Sequence, residues 1–269
     1  MKNWDTVNFN LHEFIQQTIS SFVAAKGIEK MWKAPLTALL SADNPLLPSL
    51  RQAVSGDHLL PEDLLPSAKS IIVYFLPFEN RIIESNLKGE VASEEWARAY
   101  VLTNALLAFI NENIEVFLNQ HGFNATKIMA THNFDEKTLM SRWSHRHIAW
   151  IAGLGTFGIN NMLITRQGCC GRFGSLMTDA NSQQLGISVT DSRPLPEKCL
   201  NKINGSCGLC HKKCSSGAYN GKGSFDRHKC YETCLNNAEL YKSIGHADVC
   251  GKCLVGLPCS SKDPSMATI

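Results

Sequence analysis

Cys207-Gly-Leu-Cys210-His-Lys-Lys-Cys214-Ser-Ser-Gly-Ala218 and Cys250-Gly-Lys-Cys253-Leu-Val-Gly-Leu-Pro-Cys259 are two versions of one arrangement. In each, a C-x2-C pair is followed by a further cysteine, after three intervening residues in the first group and five in the second. Two thiolates from one tight turn can bind a single iron–sulfur cluster, while the third leaves the turn and reaches a neighbouring one. Cys199, Cys230 and Cys234 lie before or between the groups. Zinc is the competing reading, since two C-x2-C pairs make one tetrahedral site. It leaves Cys199, Cys214, Cys230 and Cys259 without a role, whereas two 4Fe–4S clusters use eight cysteines, so the iron–sulfur reading is preferred. The loops are remodelled relative to the usual bacterial motif. Asn204 stands three residues before Cys207 where a cysteine is usual, and Ser215 and Ser260 stand where proline is usual.

The cysteines are concentrated: nine of the chain's 11 lie in residues 199–269. Met1-Lys2-Asn3-Trp4-Asp5 shows no basic start leading into an apolar stretch, so no secretory signal is read. This many cysteines without a signal point to metal or redox chemistry in a reducing compartment, and the expected location is cytoplasmic. The strongest apolar run, Ile71–Phe78, is broken by Pro77 and falls short of the ~20 residues of a membrane span. With 269 residues, 44% hydrophobic and 19% charged, the chain can bury a sizeable core, and disorder, collagen and coiled coil are excluded. The net charge is +2, but residues 199–269 hold 9 Lys+Arg against 5 Asp+Glu. Two oxidised clusters with their thiolates would add roughly −4, so the basic tail reads as their counterweight rather than as a nucleic-acid patch.

Composition changes near Pro194-Leu195-Pro196. This predicts a cofactor and substrate domain over 1–193 and a cysteine-rich cluster domain over 194–269. Spacing of apolar residues predicts helices over Asn10–Lys26, Ser93–Gln120 and Asp135–Ala152. Strands are expected at Ile71–Leu76, Lys127–Ala130, Met162–Thr165 and Ser175–Thr178. Helices and strands intermix, so the fold class is α/β or α+β.

His132, Asp135, Arg142, His145, Arg146 and His147 gather around the start of the third predicted helix, where Arg142, His145 and Arg146 would share a side. Any one of them fits a solvated face. As a group beside a glycine loop they suggest a site, with His or Asp as proton donor and Arg holding an anionic group. Cys169-Cys170 reads as two thiols in a loop, because adjacent cysteines rarely ligate one metal comfortably.

His147-Ile-Ala-Trp-Ile-Ala-Gly-Leu-Gly-Thr-Phe-Gly-Ile-Asn160, followed by Met162-Leu-Ile-Thr165, is similar to the A-G-L-G-x-x-G-x-N segment of epoxyqueuosine reductases. Gly174-Ser-Leu-Met-Thr-Asp179 resembles the glycine–strand–acid segment that follows there, and the paired-cysteine tail comes in the same order. The resemblance runs from about Lys127 to Cys259. It implies a cobalamin domain of nitroreductase-like fold, then a ferredoxin-like module with two 4Fe–4S clusters. It implies Cys199, Cys207, Cys210 and Cys259 as ligands of the first cluster and Cys214, Cys230, Cys250 and Cys253 of the second, with Cys234 as the alternative to Cys230. It further implies that the clusters feed single electrons to a cobalamin whose reduced cobalt attacks a small molecule or modified nucleoside, the electrons coming from an external donor of flavodoxin or ferredoxin type.

Within that picture His132 and Asp135 are the candidate catalytic residues, and Arg142, His145, Gly153, Gly155, Gly158 and Asn160 the candidate cobalamin contacts. The glycines also fit G-x-G-x-x-G, but a dinucleotide fingerprint needs a strand before it and a helix after it. Here a helical pattern precedes and a strand pattern follows. A backbone lying against a flat macrocycle is therefore preferred, since a missing Cβ permits close approach. Tight tRNA binding is not expected on charge, nor without the C-terminal helical-repeat region of longer family members. Three function classes stay open: a cobalamin-dependent reductase, a ferredoxin-like electron carrier serving a separate corrinoid protein, and a zinc-binding structural module.

Overall fold

A computed structural model describes residues 9–128, 134–190, 195–219 and 224–267. Helices occur at α1 Leu11–Lys26, α2 Leu50–Ala53, α3 Pro61–Leu64, α4 Asn80–Ser85, α5 Glu94–Gln120, α6 His145–Ile151, α7 Ser182–Leu185, α8 Leu200–Asn204, α9 Leu209–Lys212 and α10 Arg227–Leu240. Strands occur at β1 Leu36–Ser41, β2 Ser70–Pro77, β3 Ala125–Lys127, β4 Gly155–Phe157, β5 Leu163–Thr165 and β6 Gly171–Thr178. Four strands form one antiparallel sheet in the order β1-β2-β6-β3, and β4 and β5 form a separate hairpin. Helix and sheet are mixed and the sheet is antiparallel, which places the fold on the α+β side of the expectation.

Alternation along β2 builds the core. Ile72, Tyr74 and Leu76 face α1 and α5, while Ile71, Val73 and Phe75 face α2 and α6, and every residue of β2 is buried. Burying each such side chain is worth about 1.5–3 kcal/mol relative to exposure. The caps of α1 follow the sequence: Asn10 Oδ1 accepts from the Glu13 amide, and Gly27 ends the helix at φ 61°. Ser93 caps α5 through the Trp96 amide. By length and composition α5 is apolar enough to cross a membrane. It serves here as the central core helix, with Leu106, Leu107, Ile110 and Ile114 fully buried.

The third predicted helix is shorter than expected. Only His145–Ile151 is helical. Asp135 Oδ1 accepts from the Lys137 and Thr138 amides and from Thr138 Oγ1, Leu139 sits at φ 54°, and Phe134 bridges to Ser141. A carboxylate that closes its own turn competes with helix formation, so the apolar residues of this segment belong to a looped hairpin. Arg142 therefore shares no helix face with His145 and Arg146; it is exposed, and its carbonyl accepts from the Leu59 amide.

The cysteine-rich tail packs directly on the first part of the chain. Lys252 is buried, with Nζ donating to the Asn86 and Lys88 carbonyls at 2.9 and 2.7 Å. Asn86 Nδ2 donates to the Cys250 carbonyl at 2.9 Å, and Tyr241 donates to Ala92 O at 2.6 Å. Gly251 has φ 76°, and a Cβ there would lie 2.5 Å from the Trp96 indole, so only glycine fits this joint.

Candidate functional site

The tail gathers its thiols into two groups. Burial pushes Cys210 up to about 11, and the neighbouring thiols that act on it are Cys259, Cys199 and Cys207. These four line a recess with about 350 Å³ of empty space, which also includes Gly158, Asn160 and Pro258. In the second group burial likewise raises Cys253, whose neighbours include Cys230, Cys250 and Cys214. The fours named by the family resemblance lie together, and each has a fifth thiol beside it: Cys169 bonds Cys259, and Cys234 bonds Cys230. Cys259 joins a group some 50 residues upstream because its carbonyl accepts from the Cys169 amide at 2.9 Å, and Ser260 O accepts from Cys170.

Several local interactions prepare these groups for negative charge. Ser216 Oγ lies 3.1 Å from Cys214 Sγ, and Ser215 Oγ lies 3.7 Å from Cys250 Sγ. Hydroxyls at that range can donate to thiolates or cluster sulfurs. Cys230 and Cys234 are one turn apart on α10. Their mutual hydrogen bond lowers Cys230 to about 7 and raises Cys234. Cys230 acts electrostatically on both Cys250 and Cys253, and Cys234 is in turn acted on by Cys230 and Cys250, so both thiols stand beside the second group. The resemblance implies Cys230 as the ligand, with Cys234 as its alternative. Accordingly Cys230→Ser is expected to remove about four iron atoms per chain and Cys234→Ser none, as measured by iron analysis after anaerobic purification.

Among the described residues, no three His, Cys, Asp or Glu side chains converge on one metal-ion position. The thiols stand instead in two looser fours.

A cavity opens where β6 begins, between the sheet and the tail. About 340 Å³ of it is open to small molecules, within about 1080 Å³ of empty space that includes the mouth. That is the size range of small-molecule sites. Phe78, Trp96, Trp143 and Phe173 give it aromatic walls, and Tyr100, His145, Arg146 and Arg172 give it polar ones. Leu254 and Val249, neighbours in sequence of the second thiol group, close the tail side.

Ser175 organises one wall: its hydroxyl bonds Trp143 Nε1 at 3.1 Å and His145 Nδ1 at 2.8 Å. Trp143 also stacks on His58, ring centroids 5.7 Å apart. On the opposite face, Tyr100 donates to Asp248 Oδ1 at 2.7 Å, and the Arg172 guanidinium lies 4.4 Å from the Tyr100 ring centroid. Burial holds Tyr100 up at about 12, against the opposing effect of Arg172. Arg146 donates to the Asn161 carbonyl at 2.7 Å. Burial lowers its pKa, and the charge of Arg172 adds to that effect.

Of the residues singled out from the sequence, His145 and Arg146 line this cavity, and Asp135 and Arg142 do not. Asp135 is exposed, and its hydrogen bonds from Thr138 hold the carboxyl below its usual range, which suits a turn rather than a proton donor. His132 lies outside the described residues. His147 bonds Ser144 Oγ at 2.7 Å and is pushed down to about 4 by burial first and by Arg146 second.

The glycine loop is also reassigned. Gly153 ends α6 at φ 74°. A Cβ on Gly155 would lie 2.3 Å from Ile164 O, and one on Gly158 would lie 2.8 Å from Asn160 Oδ1. These glycines are required by the chain's own helix end and by the β4–β5 hairpin, and none lines the large cavity. Asn160 is a pin: Nδ2 donates to the Cys253 carbonyl at 3.0 Å and Oδ1 accepts from the Met162 amide. Helix before hairpin also excludes a dinucleotide fingerprint.

Sequence reasoning misses Tyr100 and Arg172: Tyr100 falls among the apolar positions of the long helix, and Arg172 lies ahead of the expected strand Ser175–Thr178, two residues after a cysteine pair.

Sequence comparison finds no matching family model and no matching curated relative. Comparison of structures finds epoxyqueuosine reductases. That of Bacillus subtilis has TM-score 0.54 and 18% identity, with 96% of this chain and 71% of that chain covered. That of Streptococcus thermophilus has TM-score 0.53, 18% identity, and coverage of 96% and 70%. An epoxyqueuosine reductase bound to a tRNA-Tyr stem loop has TM-score 0.52 and 20% identity, covering 94% of this chain and 71% of that one. A reductive dehalogenase described for B12-dependent dehalogenation has TM-score 0.55 and 18% identity, over 86% of this chain and 31% of that one. The chain shares its fold with the epoxyqueuosine reductases and, over part of their length, with the reductive dehalogenases.

Proposed function

We propose that this chain is an iron–sulfur oxidoreductase that reduces a small molecule or modified nucleoside in the cavity between sheet and tail. The observation that carries the reading is the gathering of eight thiols into two fours, the second of them near Arg146, which lines the cavity with Tyr100, His145 and Arg172. Cys199, Cys207, Cys210 and Cys259 would hold one 4Fe–4S cluster, and Cys214, Cys230, Cys250 and Cys253 the other. The donor sets fit: four thiols each, hydroxyls at Ser215 and Ser216, and the cations Lys252 and Arg146 near the second group. The cavity's aromatic walls, Phe78, Trp96, Trp143 and Phe173, offer the apolar surface that a corrin would need. When bound, the clusters and a cobalamin supply stepwise one-electron transfer to a reactive cobalt.

The chain's own part is positioning and protons. Trp143 and Phe173 exclude water from one side, and Ser175 fixes the orientation of the Trp143 and His145 rings. Tyr100 stays protonated at neutral pH, and the guanidinium over its ring favours the phenolate once the proton is given up. Tyr100→Phe is therefore expected to lower turnover about 10²-fold with iron content unchanged.

Anaerobic titration of cluster-loaded protein with cobalamin tests the cofactor. A saturable spectral change at one equivalent supports the reading; its absence with full clusters leaves an electron carrier for a separate corrinoid protein. An external flavodoxin- or ferredoxin-type donor in a cytoplasmic setting completes the proposal. The stem-loop complex of a fold neighbour makes a nucleoside within tRNA one candidate substrate. The even charge of the loaded chain argues against tight binding by this chain alone. A gel shift with bulk tRNA at physiological salt is expected to show no sub-micromolar complex; such a complex would put tRNA first.

A further inference from the structure

Arg172 opens β6 on the face that looks toward α5, and its guanidinium lies over the Tyr100 ring, 4.4 Å from the centroid. Its Nη1 is buried without a hydrogen-bond partner. A buried, charged donor left unpaired is costly, because its desolvation is uncompensated. Arg146 lines the same cavity, held by the Asn161 carbonyl at 2.7 Å and Met162 Sδ at 3.3 Å, with no carboxylate on its guanidinium among the described residues. The two cations repel one another, which adds to the burial that weakens Arg146's hold on its proton. Among the described residues the lining contains no Asp or Glu. The nearby negative groups have other engagements: Asp248 accepts the Tyr100 hydroxyl, and the Cys253 thiol, with its group, faces Arg146. Arg146 therefore divides its charge between the thiol group and the cavity. The Arg172 side chain, half-buried and lining the cavity, makes no hydrogen bond or ion pair among the described residues, so the part of its guanidinium that faces the cavity is left for a ligand.

We propose that the enclosed part of the cavity binds a small planar organic anion, its carboxylate or phosphate on Arg172 and its apolar body against Trp143 and Phe173. This deepens the reading of the cavity as the reaction site by naming the chemistry of what is reduced there. A planar guanidinium presents parallel donors to carboxylate or phosphate. The walls are already rigid: Trp143 is held by Ser175 and His58, and Phe173 stacks on Phe75 with centroids 4.4 Å apart. A flat body thus finds a preformed slot, and little ordering is required on binding.

The test is isothermal titration calorimetry of anaerobic, cluster-loaded protein with benzoate, phenyl phosphate and the neutral benzamide. At least one anion is expected to bind at least tenfold more tightly than benzamide. Arg172→Gln is expected to remove that preference with iron content unchanged, and Arg172→Lys to restore part of it. Equal affinities, no binding by any probe, or a preference that survives Arg172→Gln would overturn the proposal. The wild-type iron content separates this from the reductase reading: protein without iron refutes that reading, while the anion preference is still read directly from the heats.

Discussion

Cys253→Ser is expected to cut the iron of anaerobically purified protein from about eight atoms per chain to about four, with sulfide falling in step. The remaining cluster would be the one in the recess shared by Cys199, Cys207, Cys210 and Cys259. Serine is nearly isosteric, so the loss would report ligation rather than packing. The Cys253 carbonyl, which accepts from Asn160, is untouched by the substitution. Retention of all the iron would mean that Cys253 is not a ligand. Replacement of iron by a single zinc in the wild type would favour the structural-module reading.

Gly155→Leu is expected to be as damaging, through a different route. The resemblance would have this change block a corrin and spare the iron. The structure predicts the opposite order of events, because a Cβ at Gly155 collides with backbone, 2.3 Å from Ile164 O and 2.8 Å from its carbonyl carbon. Backbone cannot yield as a side-chain tip can, so β4 must separate from β5. Ile164 and the turn residues Gly158 and Asn160 form part of the recess around Cys210. Overpacking of this kind costs about 1–3 kcal/mol or more. The expected result is a lowered melting temperature and loss of the first group's iron, about four atoms per chain. Normal iron and melting temperature with a lost corrin titration would restore the macrocycle reading of the glycine loop.

Local signals carried much of the architecture. The caps of α1 and α5 were legible because Asn10, Gly27 and Ser93 act within a few residues of their own position. β2 was legible because both faces are buried, which leaves an unbroken apolar run. The sheet order was not, since β2 pairs with β6 about a hundred residues later and nothing in either segment names its partner. The helix expected over Asp135–Ala152 failed at a residue-level competition: Asp135 and Thr138 close a turn, and apolar residues that mimic helical spacing, such as Met140, belong to a loop. The glycine loop is legible as a close approach but its neighbour is not, because sequence shows a missing Cβ and not what would have occupied its place; the chain's own backbone at Ile164 does so for Gly155. Tyr100 and Arg172 are site residues only because α5 and β6 converge, a relation that exists in three dimensions alone.

Combined iron, sulfide and zinc analysis of anaerobically purified wild-type protein decides whether the eight thiols of the tail hold two clusters. About eight iron and eight sulfide per chain are expected, with negligible zinc and broad absorbance through the visible range. A colourless protein carrying about one zinc and no sulfide would contradict cluster binding.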